Sequence, residues 1–427
     1  MELFEEQKQG KHVETITEFQ RLLDKSSHIL CGMKMKKQLL FCLIVVSMSL
    51  YGCQQISRHQ KEVTTLPPTQ GFENRQAIPT VPYQTPSQGI EGEEAIPIKP
   101  YQDVRDLNLT GLTVNLDDSL IQTLWFNEST AWPTQYKELA NTILEQGKNP
   151  GLGIRKLHEG GITGKGINVA IIDQNMVLDH PEFKGKIVKY FDTGTDQPSD
   201  QGSMHGPAVI SLLVGENIGT APDARVYYVA APSWTGDAQY YADALNWIVA
   251  QNEKLPDKNK IRLVSVSAAP SGPGSPFTMN NDAWDVAYQS AAEAGILVLD
   301  CTSNHGITSP CFYDFGDPEN VAKCTPGWPD SQNLQMLDRI YIPTSYRTTA
   351  EEYDQGDFSY QYTGRGGLSW SIPYLSGVLA LGWQIRPDLT SSQLLDILFL
   401  SAYITDDGLK IINPGAFIDM AKLAGYQ

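Results

Sequence analysis

The chain has 427 residues, 41% of them hydrophobic, and a formal net charge of −17. Its length and apolar content suit one sizeable domain with extensions, while so acidic a balance argues against nucleic acid as a partner and against electrostatic docking on anionic lipid. No zinc-type Cys/His cluster, His-Glu-x-x-His helix or Gly-x-x-x-x-Gly-Lys phosphate loop occurs, so no metal or nucleotide chemistry is indicated.

Residues 1–52 read as a leader. Lys34, Lys36 and Lys37 precede an apolar run from Leu39 to Val46, which closes on Leu50-Tyr51-Gly52-Cys53. A basic start, a short apolar segment and a small residue before the cut form a secretory pattern, and the segment is short for a membrane span. The Leu-x-Gly-Cys ending resembles a bacterial lipobox. It implies cleavage before Cys53, acylation of its sulfur and a lipid-anchored, extracytoplasmic protein of the bacterial cell envelope. Such a signal belongs at an N-terminus, so translation is expected to start at Met33 or Met35 and residues 1–32 to be an artefact. Residues 53–105 are rich in proline among Gln, Thr, Ser and Glu, and read as an extended tether. Residues 106–150 regain apolar content and form a small N-terminal extension with one helix near Tyr136–Glu145. Either it packs on the main domain or it is a pro-segment; the sequence leaves both open.

From residue 151 to 427 strands and helices alternate. Ile167–Ile172 is a buried strand ending at Asp173, and a loop then enters a helix at His205. Val226–Ala230 is a strand, Asp237–Gln251 a helix, Ile261–Ser267 a strand, Asp282–Glu293 a helix, and Gly295–Leu299 a strand running on to Asn304. Gly366-Gly367 leads to Ser369 at the mouth of a buried helix. Pro373 is tolerable there if it sits in the first turn, where no N–H bond is lost. Thr390-Ser391-Ser392-Gln393 is a capping box opening a further helix. Near-continuous apolar strands alternating with helices predict an α/β fold, a mostly parallel sheet with helices on both faces. In such sheets ligands sit beyond the carboxyl ends of the strands, where Asp173 and Asn304 lie.

Each polar residue alone has a plainer reading: Asp173 a strand end, His205 a helix start, Asn304 a turn, with Ser371 a rival to Ser369. Their combination is the informative feature. A serine hydroxyl is a weak nucleophile that needs a base within reach, and a histidine base needs a carboxylate to fix its tautomer. The stretches GITGKGINVAIID with LDHPEFKGKI, MHGPAVISLLVG with GTAPDARVYYV, AAEAGILVLDCTSNHG, and GGLSWSIPYLSGVLAL resemble, in order, the blocks of the subtilase (subtilisin-like) serine proteases. The resemblance runs from about Leu152 to the C-terminus. It implies a catalytic Asp173, His205 and Ser369, an oxyanion hole at Asn304, and substrate main chain bound by Ser267, Ala268 and Ala269. It allows structural calcium, to which no residue is assigned, and implies no other cofactor. The partners implied are a protein or peptide substrate and, through the anchor, a membrane; a monomer is expected. His180 and His305 are read as loop residues. Pro207, Leu368, Trp370, Ile372 and Tyr374 depart from the family pattern, and Leu368 and Trp370 are expected to reshape the site. A catalytically weak or inactive peptide-binding module on the same fold is the alternative. Cys311 and Cys324 flank a short loop and could form a disulfide suited to export, with Cys301–Cys311 as the rival pairing.

Overall fold

The computed structural model describes residues 98–112, 115–327 and 338–424; the leader, Cys53 and all but the end of the tether lie outside them. The extension begins with α1 (Asp118–Thr123), capped by Asp117, whose side chain accepts the Ser119 N–H. It continues through β1 (Trp125–Asn127) and α2 (Thr134–Gln146), the helix expected near Tyr136–Glu145. Tyr136, Ala140, Ile143 and Leu144 recur at helical spacing on α2. They are buried with Ile121, Leu124, Phe126 and Tyr362 in a core separate from the main ones.

After α3 (Ile154–Glu159) comes the alternating region: β2 (Asn168–Asp173), β3 (Ile187–Asp192), α4 (His205–Val214), β4 (Arg225–Ala230), α5 (Gln239–Glu253), β5 (Ile261–Val266), α6 (Asn281–Glu293) and β6 (Leu297–Leu299). These strands form a five-stranded sheet in the order β3-β4-β2-β5-β6, with every pair parallel. Successive side chains point to opposite faces of a strand, and β2 shows the result. Val169 and Ile171 enter one core with Leu212, Leu213 and Leu379. Ala170 and Ile172 enter another with Leu245, Ile248 and Trp284. Helices therefore cover both faces, as predicted. The helix expected from Asp237 starts at Gln239, because the Asp237 carboxylate accepts the Gln239 N–H and acts as a cap instead.

The chain then forms β7 (Thr308–Phe312), β8 (Thr325–Pro326), β9 (Ile340–Pro343), β10 (Arg347–Glu351), β11 (Ser359–Thr363), α7 (Leu368–Ile385), α8 (Ser391–Leu400), β12 (Tyr403–Ile404), β13 (Lys410–Ile411) and α9 (Pro414–Leu423). Two further sheets result, β12-β13-β9-β7-β8 and β1-β11-β10. The capping box of α8 is present in both directions. Leu375, Val378, Leu379 and Leu381 of α7 are fully buried, each contributing roughly 1.5–3 kcal/mol relative to exposure. Among the described residues no helix is long and apolar enough to cross a membrane. Because the central strands are parallel, their carboxyl ends share one edge of the sheet. Asp173 ends β2, Ser267 follows β5, and Asn304 follows β6 on that edge.

Candidate active site

Asp173 is almost fully buried, and its Oδ1 accepts a 2.6 Å hydrogen bond from His205 Nδ1. The Gln174 backbone N–H donates to the same oxygen at 2.8 Å. Two donors on one carboxylate oxygen fix its orientation, and an ionised acceptor requires the His205 proton to sit on Nδ1. That leaves Nε2 to act on a neighbour. His205 opens α4, where Ser203 Oγ accepts the Gly206 N–H at 3.0 Å and donates to the Asn175 carbonyl. A Cβ on Gly206 would stand 2.7 Å from the Gln174 carbonyl oxygen, so only glycine lets α4 approach the Asp173 turn this closely. Pro207 falls in the first turn, where it costs no hydrogen bond. Burial pulls the His205 pKa down, but the charge of Asp173 and the hydrogen bond to it outweigh that, so the imidazole lies above the ordinary histidine value.

Ser369 lies in the first turn of α7, with Gly367 as the extended N-cap residue. Pro373 is in the second turn rather than the first, which corrects the expectation from sequence. Its missing N–H deprives the Ser369 carbonyl of the usual i→i−4 donor. Ser267 replaces that donor: its hydroxyl gives a 2.8 Å hydrogen bond to the Ser369 carbonyl. In return Ser369 Oγ donates to the Ser267 carbonyl at 3.2 Å. No hydrogen bond joins His205 to Ser369 among the described residues; the hydroxyl rests on Ser267. The indole of Trp370 bridges the two elements, its ring centroid 5.4 Å from that of His205. It is buried, and its N–H finds no acceptor among the described residues.

Each carbonyl of the expected substrate strand already has a donor. Ser267 accepts from Ser369, Ala268 from the Cys301 N–H at 2.9 Å, and Ala269 from Ser275 Oγ at 2.6 Å. β5 ends at Val266, so the three residues expected to form the substrate strand lie just beyond it and are not part of the sheet. Asn304 is exposed, and its amide makes no hydrogen bond to a described residue. A Cβ on Gly272 would stand 3.2 Å from its Nδ2, so the loop after Ala269 lies against this amide.

The rival residues have structural partners. Ser371 is fully buried, donating to the Leu368 carbonyl at 2.6 Å and bonded to Thr308 Oγ1 at 3.0 Å. His180 is buried among Phe183, Phe358 and Tyr360, accepts the Glu182 N–H, and is lowered in pKa mainly by burial. Cys301, Cys311 and Cys324 are free thiols. Burial first, then its neighbour Cys324, pushes the Cys311 thiol well up. Among the described residues no group of three or more His, Cys, Asp or Glu side chains is arranged to hold a metal ion, and calcium is assigned to none.

Residues 164–347 match the profile of the subtilase family. The matched stretch includes Asp173, His205, Ser267 and Asn304 and ends before Ser369. The chain is 26% identical over 256 residues to subtilisin E of Bacillus subtilis (strain 168), covering 56% of this chain and 61% of that protein. Subtilisin of Bacillus pumilus is 26% identical over 256 residues, with 85% of that protein covered. Serine protease AprX of Bacillus subtilis (strain 168) is 25% identical over 280 residues, with 61% covered. The chain thus spans about three fifths of the length of subtilisin E and of AprX. Among solved structures, fervidolysin from Fervidobacterium pennivorans aligns over 65% of this chain and 47% of that one, at a TM-score of 0.48 and 15% identity.

Proposed function

We propose that this chain, a member of the subtilase family, is a serine endopeptidase acting on protein or peptide substrates through an acyl-enzyme. Ser369 is the nucleophile, His205 the general base and acid, and Asp173 the partner of the imidazole. The observation that carries this reading is the 2.6 Å Asp173–His205 hydrogen bond, made beside the helix that bears Ser369. In the resting state the Ser369 hydroxyl is parked on the Ser267 carbonyl. A substrate N–H paired with that carbonyl competes for it and releases the hydroxyl toward His205 Nε2. As Oγ attacks the peptide carbonyl carbon, its proton passes to Nε2, which returns it to the leaving amine. Water then attacks the ester with the same base. The Asn304 amide and the unpaired Ser369 N–H serve the oxyanion; losing one such donor costs roughly 10²–10³ in rate. The mechanism uses no cofactor and no nucleic acid, and a monomer suffices for it.

The leader pattern and the proline-rich tether support export and attachment to the envelope through an acylated Cys53. In a Cys53→Ala variant the protein should move from the membrane fraction to the soluble one. For the activity, the folded protein is incubated with a fluorophosphonate probe and with casein. Labelling at Ser369 and hydrolysis, both lost in Ser369→Ala, are expected. Absence of labelling in the folded wild type, or hydrolysis that survives in Ser369→Ala, overturns the reading.

A further inference from the structure

His305 follows Asn304, and sequence reasoning made it a bystander. Its surroundings are more ordered than that. Asp300 Oδ2 accepts from His305 Nδ1 at 3.2 Å, and Asp285 Oδ1 of α6 lies 3.7 Å from Nε2. The imidazole is stacked on Tyr288 of α6, with ring centroids 3.9 Å apart and planes at 22°. Asp285 Oδ1 also accepts a 2.6 Å hydrogen bond from Ser271, in the loop that follows the substrate strand. Asp300 is fixed in turn by Trp284 Nε1 and by the Thr302 N–H and hydroxyl. On the other side of Asn304, Arg339 donates to the carbonyls of Ser303 and Thr308 at 3.2 and 3.1 Å. The loop that carries the exposed Asn304 is thus fastened to the frame of the domain through His305 and through Arg339.

We propose that His305 is a positioning residue for the Asn304 amide: bridging Asp300 and Asp285 while stacked on Tyr288, it locks the Asn304 loop to α6. Through their shared carboxylate it also locks that loop to the Ser271–Gly272 turn lying against the amide. The inference rests on the reading of Asn304 as the oxyanion donor. An oxyanion donor works only if it is held in place before the charge develops, and since the Asn304 amide makes no hydrogen bond to a described residue, its position depends on how its loop is fastened. The groups facing His305 are Asp300 on its own loop and Asp285 and Tyr288 on α6, with Arg339 across the loop. The Asp300 hydrogen bond, opposed by burial and aided by the charges of Asp300 and Asp285, raises the His305 pKa. The lock therefore loosens as pH rises through the elevated His305 value and the imidazole loses its proton.

The test is a double-mutant cycle in the full chain. His305→Gln in the wild-type background should lower kcat roughly ten- to a hundredfold, the scale of a misplaced reacting group, with KM little changed. In an Asn304→Ala background the same substitution should cost less than about threefold, because the residue through which it acts is gone. Asp285→Asn should reproduce a weaker form of the effect. A His305→Gln penalty of equal size in both backgrounds overturns the proposal. Amide hydrogen exchange at residues 302–306 gives a readout independent of turnover. It should speed up in His305→Gln and Asp285→Asn at unchanged melting temperature, and unchanged exchange overturns the proposal even if the protein hydrolyses nothing. Failure of the wild type to label or hydrolyse is a separate result that counts against the protease reading alone.

Discussion

Asp173→Asn separates two things that a carboxylate does for a histidine base: fixing its tautomer and supplying charge. Where such a substitution inverts the tautomer, the rate falls about 10⁴-fold. Here His205 Nδ1 and the Gln174 N–H both donate to Oδ1. An asparagine that puts its amide oxygen in that place keeps both hydrogen bonds. One that puts its NH2 there leaves the Gln174 N–H without an acceptor and keeps the other bond only by inverting the imidazole tautomer. The Gln174 N–H therefore selects the orientation that preserves the Nδ1 proton, and only the charge is removed. A hydrogen bond to a charged group contributes about 1.5–3 kcal/mol, against about 1 for a neutral one. The difference, roughly 0.5–2 kcal/mol, corresponds to a fall of about two- to thirtyfold in kcat.

The pH dependence has a definite sign. His205 must be neutral to take the proton, and Asp173 holds its pKa above the ordinary value against the pull of burial. Activity in the wild type therefore rises through that elevated value. In Asp173→Asn burial is left unopposed, and the acid limb moves to lower pH. Peptide hydrolysis followed from about pH 5 to pH 9, with imidazole titration by NMR, gives both numbers. A loss near 10⁴ would show that the amide had turned over despite Gln174. An acid limb that stays in place would show that Asp173 does not set the His205 pKa.

Three further outcomes are expected. Glu352 is fully buried; one of its oxygens accepts the Gly356 N–H, and neither the other nor Asp179 Oδ1 accepts a hydrogen bond from an N–H among the described residues. Burial, opposed by the Gly356 hydrogen bond and helped by Asp179, pushes its pKa up to about 7. The native state thus holds a proton that the unfolded chain has released, and stability falls as pH rises from the ordinary carboxylate range through about 7. Glu352→Gln, whose amide can donate to Asp179, should flatten the decline in Tm between about pH 5 and 8; parallel declines in the two proteins would contradict this. Gly366 has φ +68°, and a Cβ there would stand 1.8 Å from the Thr344 carbonyl oxygen. Gly366→Ala should cost more than about 2 kcal/mol in urea unfolding, and an unchanged midpoint would show that the turn can move. Burial raises the thiol pKa of Cys301 and Cys311, so in protein reduced and then freed of reductant neither should react with a disulfide reagent until the protein unfolds. Rapid native labelling of either would refute that, and peptide mapping without reductant decides whether Cys311 and Cys324 join on export.

What could be read from the sequence was what periodicity encodes. The strand ending at Asp173, the helix on Tyr241, Leu245 and Ile248, and the Thr390–Gln393 cap all rest on apolar spacing or capping chemistry, and the structure has them. β10 and β11 were invisible for the opposite reason. Arg347-Thr348-Thr349-Ala350-Glu351 is buried throughout although four of its five residues are polar, and nothing in its composition suggests a buried strand. At the site, residue types indicated Asp173, His205 and Ser369. The role of the Ser267 hydroxyl did not emerge, because it answers a defect made by Pro373 more than a hundred residues away. The signal was available: a proline four residues after a helix-mouth serine leaves that serine's carbonyl without a donor. His305 gave no such hint, since its partners Asp285 and Tyr288 meet it only through the packing of α6.

The extension matters to the site because of where β11 leads. Trp125 of β1 pairs with Thr363 at the end of β11. The Gly364 N–H then donates to the Leu124 carbonyl at 3.0 Å, and Tyr362 donates from its hydroxyl to the Gln122 carbonyl at 2.7 Å. The left-handed turn at Gly366 and then Ser369 follow within five residues of Gly364. β1 is thus the edge strand that clamps the last fixed point before Ser369. Without residues 98–150 the outer edge of β11 would lose its hydrogen-bonding partner, and the side of Tyr362 now packed against Leu124 and Phe126 would face water. A glycine has the widest choice of backbone conformations, so a glycine turn holds one geometry only when the segments on either side of it are fixed. The free energy of docking the extension and the position of the Ser369 hydroxyl are therefore linked, and a chain cut at residue 150 should lose reactivity at Ser369 before it loses its central sheet.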